Sequence, residues 1–379
     1  MMGRADDSGH VSHLQGSELV VIDGSYGEGG GQILRTAVTL ALIMARDVRV
    51  ERIRAGRKRP GLRPQHLTAV RAAAAVCGGE LRGDELGSQT VTLKPGGPPN
   101  AGDYAFDVAS ASEGGSAGSI GLVLQTVLLP LALTAGASEL TLYGGTHVAW
   151  APSASYIEHV FLPIIARMGV DAELDVLQWG FYPVGGGSVR IEIRGRERAL
   201  DPISLTERGA LERLWGSAVV TNLPSHIPQR MADRARNVLA GAGLDARVEP
   251  RRLRGEGPGA GIFLWAEYEH ALAAFTSYGR KGLPAEHVAE AACEDLLAHH
   301  RAGAPVDPHL ADQLVVPMAL AEGESRILTS KVTRHLSTNM WVVRQFLDCQ
   351  MDLEGGEGGQ GALAVEGQAF SVGDGRRRA

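Results

Sequence analysis

The feature that most constrains the fold of this chain is an order of segments that occurs more than once. Residues 119–153 contain an apolar run, a short turn, an alternating segment and a polar loop, and residues 308–339 repeat this order. Apolar residues spaced by three and four positions predict a helix, whereas alternation predicts a strand. The recurrence indicates diverged internal repeats, so the fold is predicted to be built from similar modules.

The two copies also agree in the spacing of two polar residues. Gln125 precedes His147 by 22 positions, and Gln313 precedes His335 by the same number. An earlier copy has a longer, basic loop that leads through His66 into an alanine-rich helix. Each copy is therefore predicted to carry a histidine in its polar loop.

Length and composition favour a folded protein of two or three units. The chain has 379 residues, of which 44% are hydrophobic and 21% charged, as in ordinary globular proteins. Its three cysteines lie far apart without a CxxC pair, which argues against a disulfide framework or a zinc site. The longest apolar stretch, residues 120–133, is too short to span a bilayer, and the N-terminus lacks the apolar segment of a signal peptide. We therefore expect no membrane segment and a cytoplasmic location.

A change of pattern divides the chain into two predicted domains. Between residues 200 and 298, apolar strand-like segments and an arginine-bearing helix replace the repeated order. The predicted organisation is a disordered tail over 1–17, a repeat-built domain over 18–199 and 299–366, an inserted smaller α/β domain over 200–298, and a frayed tail over 367–379.

A glycine-rich loop follows the first apolar strand. Its sequence, DGSYGEGGGQILR, allows close approach of the backbone to a ligand, offers the free N–H groups of a helix start to an anion, and places Arg35 one turn into the helix. Glu28 in this loop could hold a divalent cation. An ordinary tight turn with a solvent-facing Glu28 has the same pattern, so the loop alone does not decide.

A second loop is strongly basic and is stiffened by two prolines. Within ten positions it carries Arg54, Arg57, Lys58, Arg59 and Arg63. Phosphate groups are natural partners of such a cluster. The formal net charge of −6 does not indicate a nucleic-acid binder, so the prediction of phosphate binding depends on this local cluster. The alternative interpretation is a basic loop that is simply solvated.

The third histidine of the repeats lies where an imidazole could be held exposed. His335 follows a predicted strand and precedes a helix that Ser337 or Thr338 could cap. The chain contains 12 histidines, and most histidines in proteins have no chemical task. Local pattern therefore does not single out His335.

Taken together, five motifs resemble, in order, those of the RNA 3′-terminal phosphate cyclase family. They are DGSYGEGGGQILR, RAGRKRPGLRPQHL, GFYPVGGG, HLADQLVVPMALA and RHLSTN, and the resemblance covers residues 18–347. It implies an α/β (α+β) fold with a large domain of three repeated two-helix, four-strand modules and a smaller inserted α/β domain.

The resemblance also implies an enzyme of ligase type that acts in RNA processing and repair. It implies that His335 attacks the α-phosphate of ATP, forming an enzyme–histidine–AMP intermediate and releasing pyrophosphate. AMP would then pass to an RNA 3′-phosphate, giving RNA-(3′)pp(5′)A. Attack by the neighbouring 2′-OH would form the 2′,3′-cyclic phosphodiester and release AMP.

Further site residues are carried over from the matching motifs. The resemblance implies Mg²⁺ or Mn²⁺ at Glu28, with the nucleotide contacted by Arg35, Arg54, Gln65, His66, Gln125, His309, Asp312 and Gln313. The implied partners are ATP and RNA ending in a 3′-phosphate, while the oligomeric state is left open. Two residues depart from the family pattern, because His309 stands where Tyr is frequent and Trp179 replaces a basic residue before GFYP.

Three other functions fit parts of the pattern. A paralogous branch of the same family acts in ribosome biogenesis and lacks the nucleophilic histidine. The presence of His335 therefore argues against membership of that branch. A carboxyvinyltransferase of similar architecture would need no adenylylated histidine. A non-catalytic RNA-binding protein could use the basic loop alone, and its RNA binding would not respond to ATP.

Overall fold

The computed structural model describes residues 19–111 and 116–370. The tail predicted over 1–17 lies outside these residues, as does most of the tail predicted over 367–379. The last strand runs to Gln368, two residues into the range predicted to fray. Among the described residues, no helix is long and apolar enough to cross a membrane.

The first module consists of two helices and four strands. Its elements are β1 (Val20–Asp23), α1 (Gly31–Met44), β2 (Val48–Glu51), α2 (Pro64–Cys77), β3 (Glu80–Arg82) and β4 (Val91–Lys94). The sheet order is β1-β2-β4-β3, with β1 and β2 parallel and the other pairs antiparallel. Apolar side chains on one face of each helix cover this sheet.

The second module repeats this arrangement. Its elements are β5 (Asp103–Asp107), α3 (Ile120–Ala132), β6 (Ala137–Gly144), α4 (Ala154–Tyr156), a π-helical turn (Ile157–Phe161), α5 (Leu162–Ala166), β7 (Asp171–Gln178) and β8 (Gly187–Arg194). The sheet order β5-β6-β8-β7 has the same pattern of parallel and antiparallel pairs.

A separate sheet is inserted after a two-residue strand, β9 (Ser204–Leu205). Its elements are β10 (Leu211–Thr221), α6 (His226–Gly241), β11 (Arg247–Leu253), β12 (Gly259–Tyr268), β13 (Leu272–Tyr278) and α7 (Ala285–Ala302). The strand order is β11-β10-β12-β13, and α6 and α7 pack on this sheet around a core of their own.

The third module closes around the strand that precedes the insertion. Its later elements are α8 (Pro308–Leu320), β14 (Glu322–Thr329), α9 (Arg334–Arg344), β15 (Met351–Glu354) and β16 (Gly361–Gln368). The sheet reads β9-β14-β16-β15, again with the first pair parallel. The predicted fold class is confirmed: three modules share one topology, and a smaller α/β unit interrupts the third.

The pairing of β9 bears on the predicted insertion over residues 200–298. Ser204 and Leu205 pair with β14, so these two residues belong to the third module's sheet. At the other end, α7 continues to Ala302. The boundaries at residues 200 and 298 stay predictions, and the sheet pairing favours a start after Leu205.

A large core joins the three modules, and α3 lies within it. All residues of α3 except Gln125 are buried, because this helix is apolar on every face and is covered by α1 and α2. The three cysteines are buried free thiols, as expected from their spacing. The partly exposed Gln125 therefore marks the point where α3 reaches a polar surface.

Candidate active site

The glycine loop between β1 and α1 packs against the helix that carries His335. The backbone N–H of Glu28 donates to Oγ1 of Thr338 at 3.2 Å. Gly27, with φ of +54°, lies so close to Thr338 that a Cβ there would collide with its hydroxyl. The rings of Tyr26 and Trp341 stack with centroids 4.0 Å apart. The first and third modules thus meet along this loop.

His335 is the second residue of α9, and its helix is capped differently from the prediction. Thr333 is the N-cap residue, and its hydroxyl accepts a hydrogen bond from the N–H of Leu336 at 3.0 Å. The prediction that Ser337 or Thr338 caps the helix is wrong, since both lie inside it. Because Thr333 fixes the first turn, His335 is held at the helix start beside the glycine loop.

The hydrogen bonds of His335 define which ring nitrogen is free. Its Nδ1 bonds to Oε1 of Gln32 and lies 3.9 Å from Oε2 of Glu28. Both neighbours are acceptors, so Nδ1 carries the proton and Nε2 carries the lone pair. About half of the side chain is exposed. Burial of the remainder, reinforced by the positive charge of Arg35, lowers the pKa of His335 to about 4. The ring is therefore neutral at pH 7.

Glu28 presents one paired and one unpaired carboxylate oxygen. Its Oε1 forms an ion pair with Arg57, whereas the buried Oε2 has no hydrogen-bond partner within residues 19–111 and 116–370. A Cβ at Gly30 would occupy the position of that Oε2, so a glycine there makes room for the carboxylate. No cluster of three or more Asp, Glu, His or Cys residues suited to a metal occurs in the described ranges. Mg²⁺ commonly uses one or two carboxylates plus substrate phosphates, and this donor set fits that arrangement.

His66 is a buried, neutral side chain that orders the basic loop. Its Nδ1 accepts the N–H of Arg63 at 3.2 Å, and its Nε2 lies against Gly31 at the start of α1. Burial, followed by the nearby charges of Arg35 and two further arginines, holds its pKa well below the usual range. Burial also lowers the pKa of Arg35 to about 10. A cation confined in this way is well placed to attract an anion.

The contact at Gly31 gives a prediction with an internal control. Gly31→Ala would place a methyl group against the ring of His66, so we expect a loss of about 1–3 kcal/mol of unfolding free energy. Gly241→Ala, at the end of α6 with open space around it, should instead gain about 0.4–1 kcal/mol. Urea denaturation of both variants tests this, and equal shifts of the same sign would refute it.

The other predicted residues divide into two groups. The guanidinium of Arg54 donates to the carbonyls of Arg59 and Gly61 at 2.8 and 3.0 Å, so in this structure it closes the basic loop on itself. Gln65 lies beside Gly118 of the second module, where its Oε1 would touch a Cβ at 2.8 Å. Both residues therefore shape the surroundings of His66.

The second group joins α3 to α8. Gln125 donates to Oε1 of Gln313 at 2.9 Å, and Gln313 donates to the carbonyl of His309 at 2.9 Å. The two glutamines that shared a 22-residue spacing to a histidine thus contact each other. His309, at the start of α8, is exposed.

Asp312 is buried beneath the start of α9. Its carboxylate accepts the hydroxyl of Thr333, and its carbonyl accepts the side-chain amide of Asn339 at 2.7 Å. Asn339 in turn accepts the hydroxyl of Thr36 at 2.8 Å. This network ties α8, α9 and α1 together. Burial raises the pKa of Asp312 to about 8, despite the opposing hydrogen bond from Thr333.

The raised pKa of Asp312 predicts a pH-dependent cost to stability. Between about pH 4 and pH 8 the unfolded chain ionises this group while the folded protein keeps it protonated. Relative to Asp312→Asn, the wild type should therefore lose up to about 1.4 kcal/mol of unfolding free energy per pH unit across that window. Urea denaturation at pH 5, 6.5 and 8 measures the difference. A difference that is constant with pH would contradict the prediction.

The histidine of the second repeat occupies a very different environment. His147 is fully buried, and its ring nitrogens bond to Thr146 and Ser155, each at 2.8 Å. The indole of Trp179 stacks on the ring with centroids 3.6 Å apart. Trp179, which departs from the family pattern before GFYP, thus packs against a structural histidine. Of the three repeat histidines, only His335 presents a free nitrogen at a half-exposed position.

Several site residues could not be found from their local sequence. Gln32 holds the Nδ1 of His335, Thr333 caps its helix, and Thr338 contacts the glycine loop. The available signal was weak: Gln32 and Thr36 are polar positions four residues apart on a mostly apolar helix. Such spacing places two side chains on one face of a helix but does not indicate which residues they contact.

Three comparisons relate this chain to known proteins. A family model described as RNA 3′-terminal phosphate cyclase matches residues 26–353. A protein of Methylococcus capsulatus named RNA 3′-terminal phosphate cyclase is 53% identical over 354 residues, covering 93% of this chain and 98% of that protein. A protein of the same name from Pyrobaculum neutrophilum is 42% identical over 356 residues, covering 93% and 99%. Among solved structures, the enolpyruvyl transferase NikO from Streptomyces tendae matches with a TM-score of 0.37 and 12% identity, covering 93% of this chain and 49% of that chain.

The family model and the curated relatives define the class of this protein as an enzyme of ligase type. More specifically, the chain belongs to the RNA 3′-terminal phosphate cyclase family, as its five motifs indicated.

Proposed function

We propose that this protein converts the 3′-terminal phosphate of RNA into a 2′,3′-cyclic phosphodiester at the expense of ATP, through an adenylylated His335. Family membership supports the overall reaction. The observation that carries the mechanism is the neutral imidazole of His335, whose Nδ1 is held by Gln32 so that Nε2 is free to attack.

In the first step, the lone pair on Nε2 of His335 attacks the α-phosphorus of ATP. A P–N bond forms, the bond between the α-phosphorus and the bridging oxygen breaks, and pyrophosphate leaves. Gln32 keeps the proton on Nδ1 and stabilises the positive charge that develops on the ring. Arg35 and the cations of the basic loop offset the negative charge of the phosphates.

In the second step, an oxygen of the RNA 3′-phosphate attacks the AMP phosphorus. The P–N bond breaks, its electron pair returns to Nε2, and RNA-(3′)pp(5′)A forms. In the third step, the adjacent 2′-OH attacks the RNA 3′-phosphorus, losing its proton, and AMP leaves. Both groups belong to one ribose, so the attack is intramolecular and costs little entropy.

Glu28 would hold Mg²⁺ or Mn²⁺ through its unpaired Oε2. A divalent ion at this carboxylate would neutralise phosphate charge beside the nucleophile. We assign two groups of residues to contacts with the nucleotide. Hydrogen bonds link the first group, Gln125, His309 and Gln313. The second group, Arg54, Gln65 and His66, belongs to the basic loop and the start of α2. Asp312 acts indirectly, because its hydrogen bond with Thr333 fixes the start of α9, the helix that carries His335.

The test uses RNA labelled with ³²P in its 3′-terminal phosphate. With ATP and Mg²⁺ or Mn²⁺, the label should become resistant to phosphatase and should become sensitive again after acid opens the ring. ATP with a methylene group between the α- and β-phosphates should give no resistance, because it cannot release pyrophosphate.

A second substrate separates the two RNA steps. RNA with a terminal 2′-deoxynucleotide lacks the attacking hydroxyl, so it should accumulate the adenylylated end instead. The proposal would be refuted if the 3′-label became resistant to phosphatase without ATP, or if folded protein with ATP produced no resistance to phosphatase. RNA binding without any change of the RNA end would favour a non-catalytic RNA-binding protein.

A further inference from the structure

Two aromatic side chains of the second module are exposed to an unusual degree. The side chain of Trp150 is 100% exposed and that of Tyr182 is 77% exposed. Large aromatic residues normally bury most of their surface. We call Trp150 and Tyr182 the aromatic pair.

The backbone presents Trp150 to solvent in a strained conformation. Its φ of +66° lies in the left-handed region, which is a genuine outlier for a bulky residue that is not glycine. Such conformations persist where the surrounding structure enforces them, and they occur most often at ligand-binding sites. The buried neighbours His147 and Val148 supply that enforcement on the N-terminal side. The outward direction of Trp150 is thus built into the loop.

The two members of the pair leave the fold from adjacent segments. His147 and Phe181 form a parallel bridge, and the N–H of His147 donates to the carbonyl of Gly180 at 3.0 Å. Trp150 follows this bridge by three residues, and Tyr182 follows it by one. Phe181 is buried and its carbonyl accepts the N–H of Gly185 at 2.7 Å, so the turn that carries Tyr182 is anchored at both ends.

Two adjacent residues connect this turn to the candidate active site. A Cβ at Gly118 would lie 2.8 Å from Oε1 of Gln65, whose neighbour His66 packs against the start of α1. A Cβ at Gly185 would lie 3.1 Å from Cα of Ala117. Since consecutive Cα atoms are about 3.8 Å apart, one step of the chain separates the surroundings of His66 from the turn of Tyr182.

From this continuity we infer that the aromatic pair stacks on bases of the RNA strand that precedes the 3′-terminal nucleotide. The inference rests on the proposed function, which places the RNA end at His335. Every base has a flat aromatic face, so stacking binds single-stranded RNA without requiring a particular sequence. An exposed indole and an exposed phenol ring offer two such platforms.

Charge near the pair indicates stacking as the main source of affinity. Loop residues 254–257 pack on this turn, with Gly257 against Val184, and carry the opposite charges of Arg254 and Glu256. The basic loop that is available for phosphates lies instead beside Glu28 and His335. Loss of the aromatic pair should therefore weaken RNA binding without changing its salt dependence.

The test compares Trp150→Ala and Tyr182→Ala with Leu86→Ala, which removes an exposed apolar side chain from the loop before β4 in the first module. Equilibrium binding of a fluorescent ten-nucleotide RNA 3′-phosphate is measured without ATP. Each aromatic variant should weaken binding by about five- to fifty-fold with an unchanged salt slope, and Leu86→Ala should not. Trp150→Tyr should restore most of the affinity.

A second readout separates this inference from the proposed function. Adenylylation by labelled ATP should be unchanged in the aromatic variants, and a dinucleotide substrate should lose less affinity than the ten-nucleotide RNA. Unchanged binding of the long RNA would overturn the inference even if cyclisation occurs. A changed oligomeric state by gel filtration, without a change in RNA affinity, would assign the pair to contacts between copies of the chain. Weakened binding of RNA in a protein that never labels would support stacking of RNA on the aromatic pair and would refute the adenylylated His335 of the proposed function.

Discussion

His335→Ala is expected to abolish the covalent adenylate and to lower cyclisation by at least about 10³-fold. The reason is that Nε2 of His335 combines exposure with an available lone pair, whereas the rings of His66 and His147 are buried. The measurement is incubation with α-³²P-ATP followed by denaturation. Label should remain on the wild type, should be released by acid because it is a phosphoramidate, and should be absent from the variant.

Two controls make the result interpretable. His270→Ala removes an exposed histidine of the inserted unit and should label normally. Thermal unfolding of His335→Ala should match the wild type to within a few degrees, since the ring is half exposed. Persistent acid-labile label on a folded His335→Ala protein would show that another group is the nucleophile.

The fold could be predicted further than the site because each repeat carries its own pattern of apolar residues. Helix and strand order in residues 119–153 and 308–339 was readable from periodicity alone. What periodicity did not reveal was β9, whose two residues, Ser204 and Leu205, are too few for any pattern to emerge. Its place in the third sheet depends on pairing with β14, more than 100 residues later in the sequence.

The site could be predicted only in part because its contacts join distant parts of the chain. Glu28 and His335 were proposed from separate motifs, and they do lie together. The residue between them, Gln32, belongs to a helix whose sequence reads as ordinary core. The error over the helix cap has a similar origin: Thr333, Ser337 and Thr338 are all able to cap, and only the folded positions of Asp312 and the glycine loop distinguish them.

The roles of the buried polar residues also emerge only in three dimensions. Asp312 was carried over as a nucleotide-site residue, which stays a prediction; in the structure its side chain bonds to Thr333 beneath α9. A buried carboxyl that must stay protonated is costly, and burial here raises the pKa of Asp312 to about 8. Through Thr333 it is linked to the start of the helix that carries His335, and a fixed helix start suits the nucleophilic role proposed for His335.

Gln32 gives the second large expected effect, because its contact with Nδ1 fixes the tautomer of His335. Gln32→Leu removes the acceptor for Nδ1–H, so part of the ring population would carry the proton on Nε2 and could not attack. We expect adenylylation to slow by about 10–100-fold, as when partners that orient a functional histidine are removed. The decrease should appear in the rate of labelling at saturating ATP, with little change in ATP affinity.

Gln32→Glu tests the same contact through its charge. A carboxylate at this position still accepts from Nδ1 but stabilises the protonated ring, so the pKa of His335 should rise from about 4 by roughly 1–3 units. Since only the neutral ring attacks, the acidic limb of kcat/KM for adenylylation should move to higher pH by the same amount, while the rate at pH 8 changes less. The wild-type profile should stay flat from pH 8 down to about pH 5. A wild-type limb near pH 6.5, unmoved by Gln32→Glu, would mean that the contact between Gln32 and His335 does not govern the nucleophile.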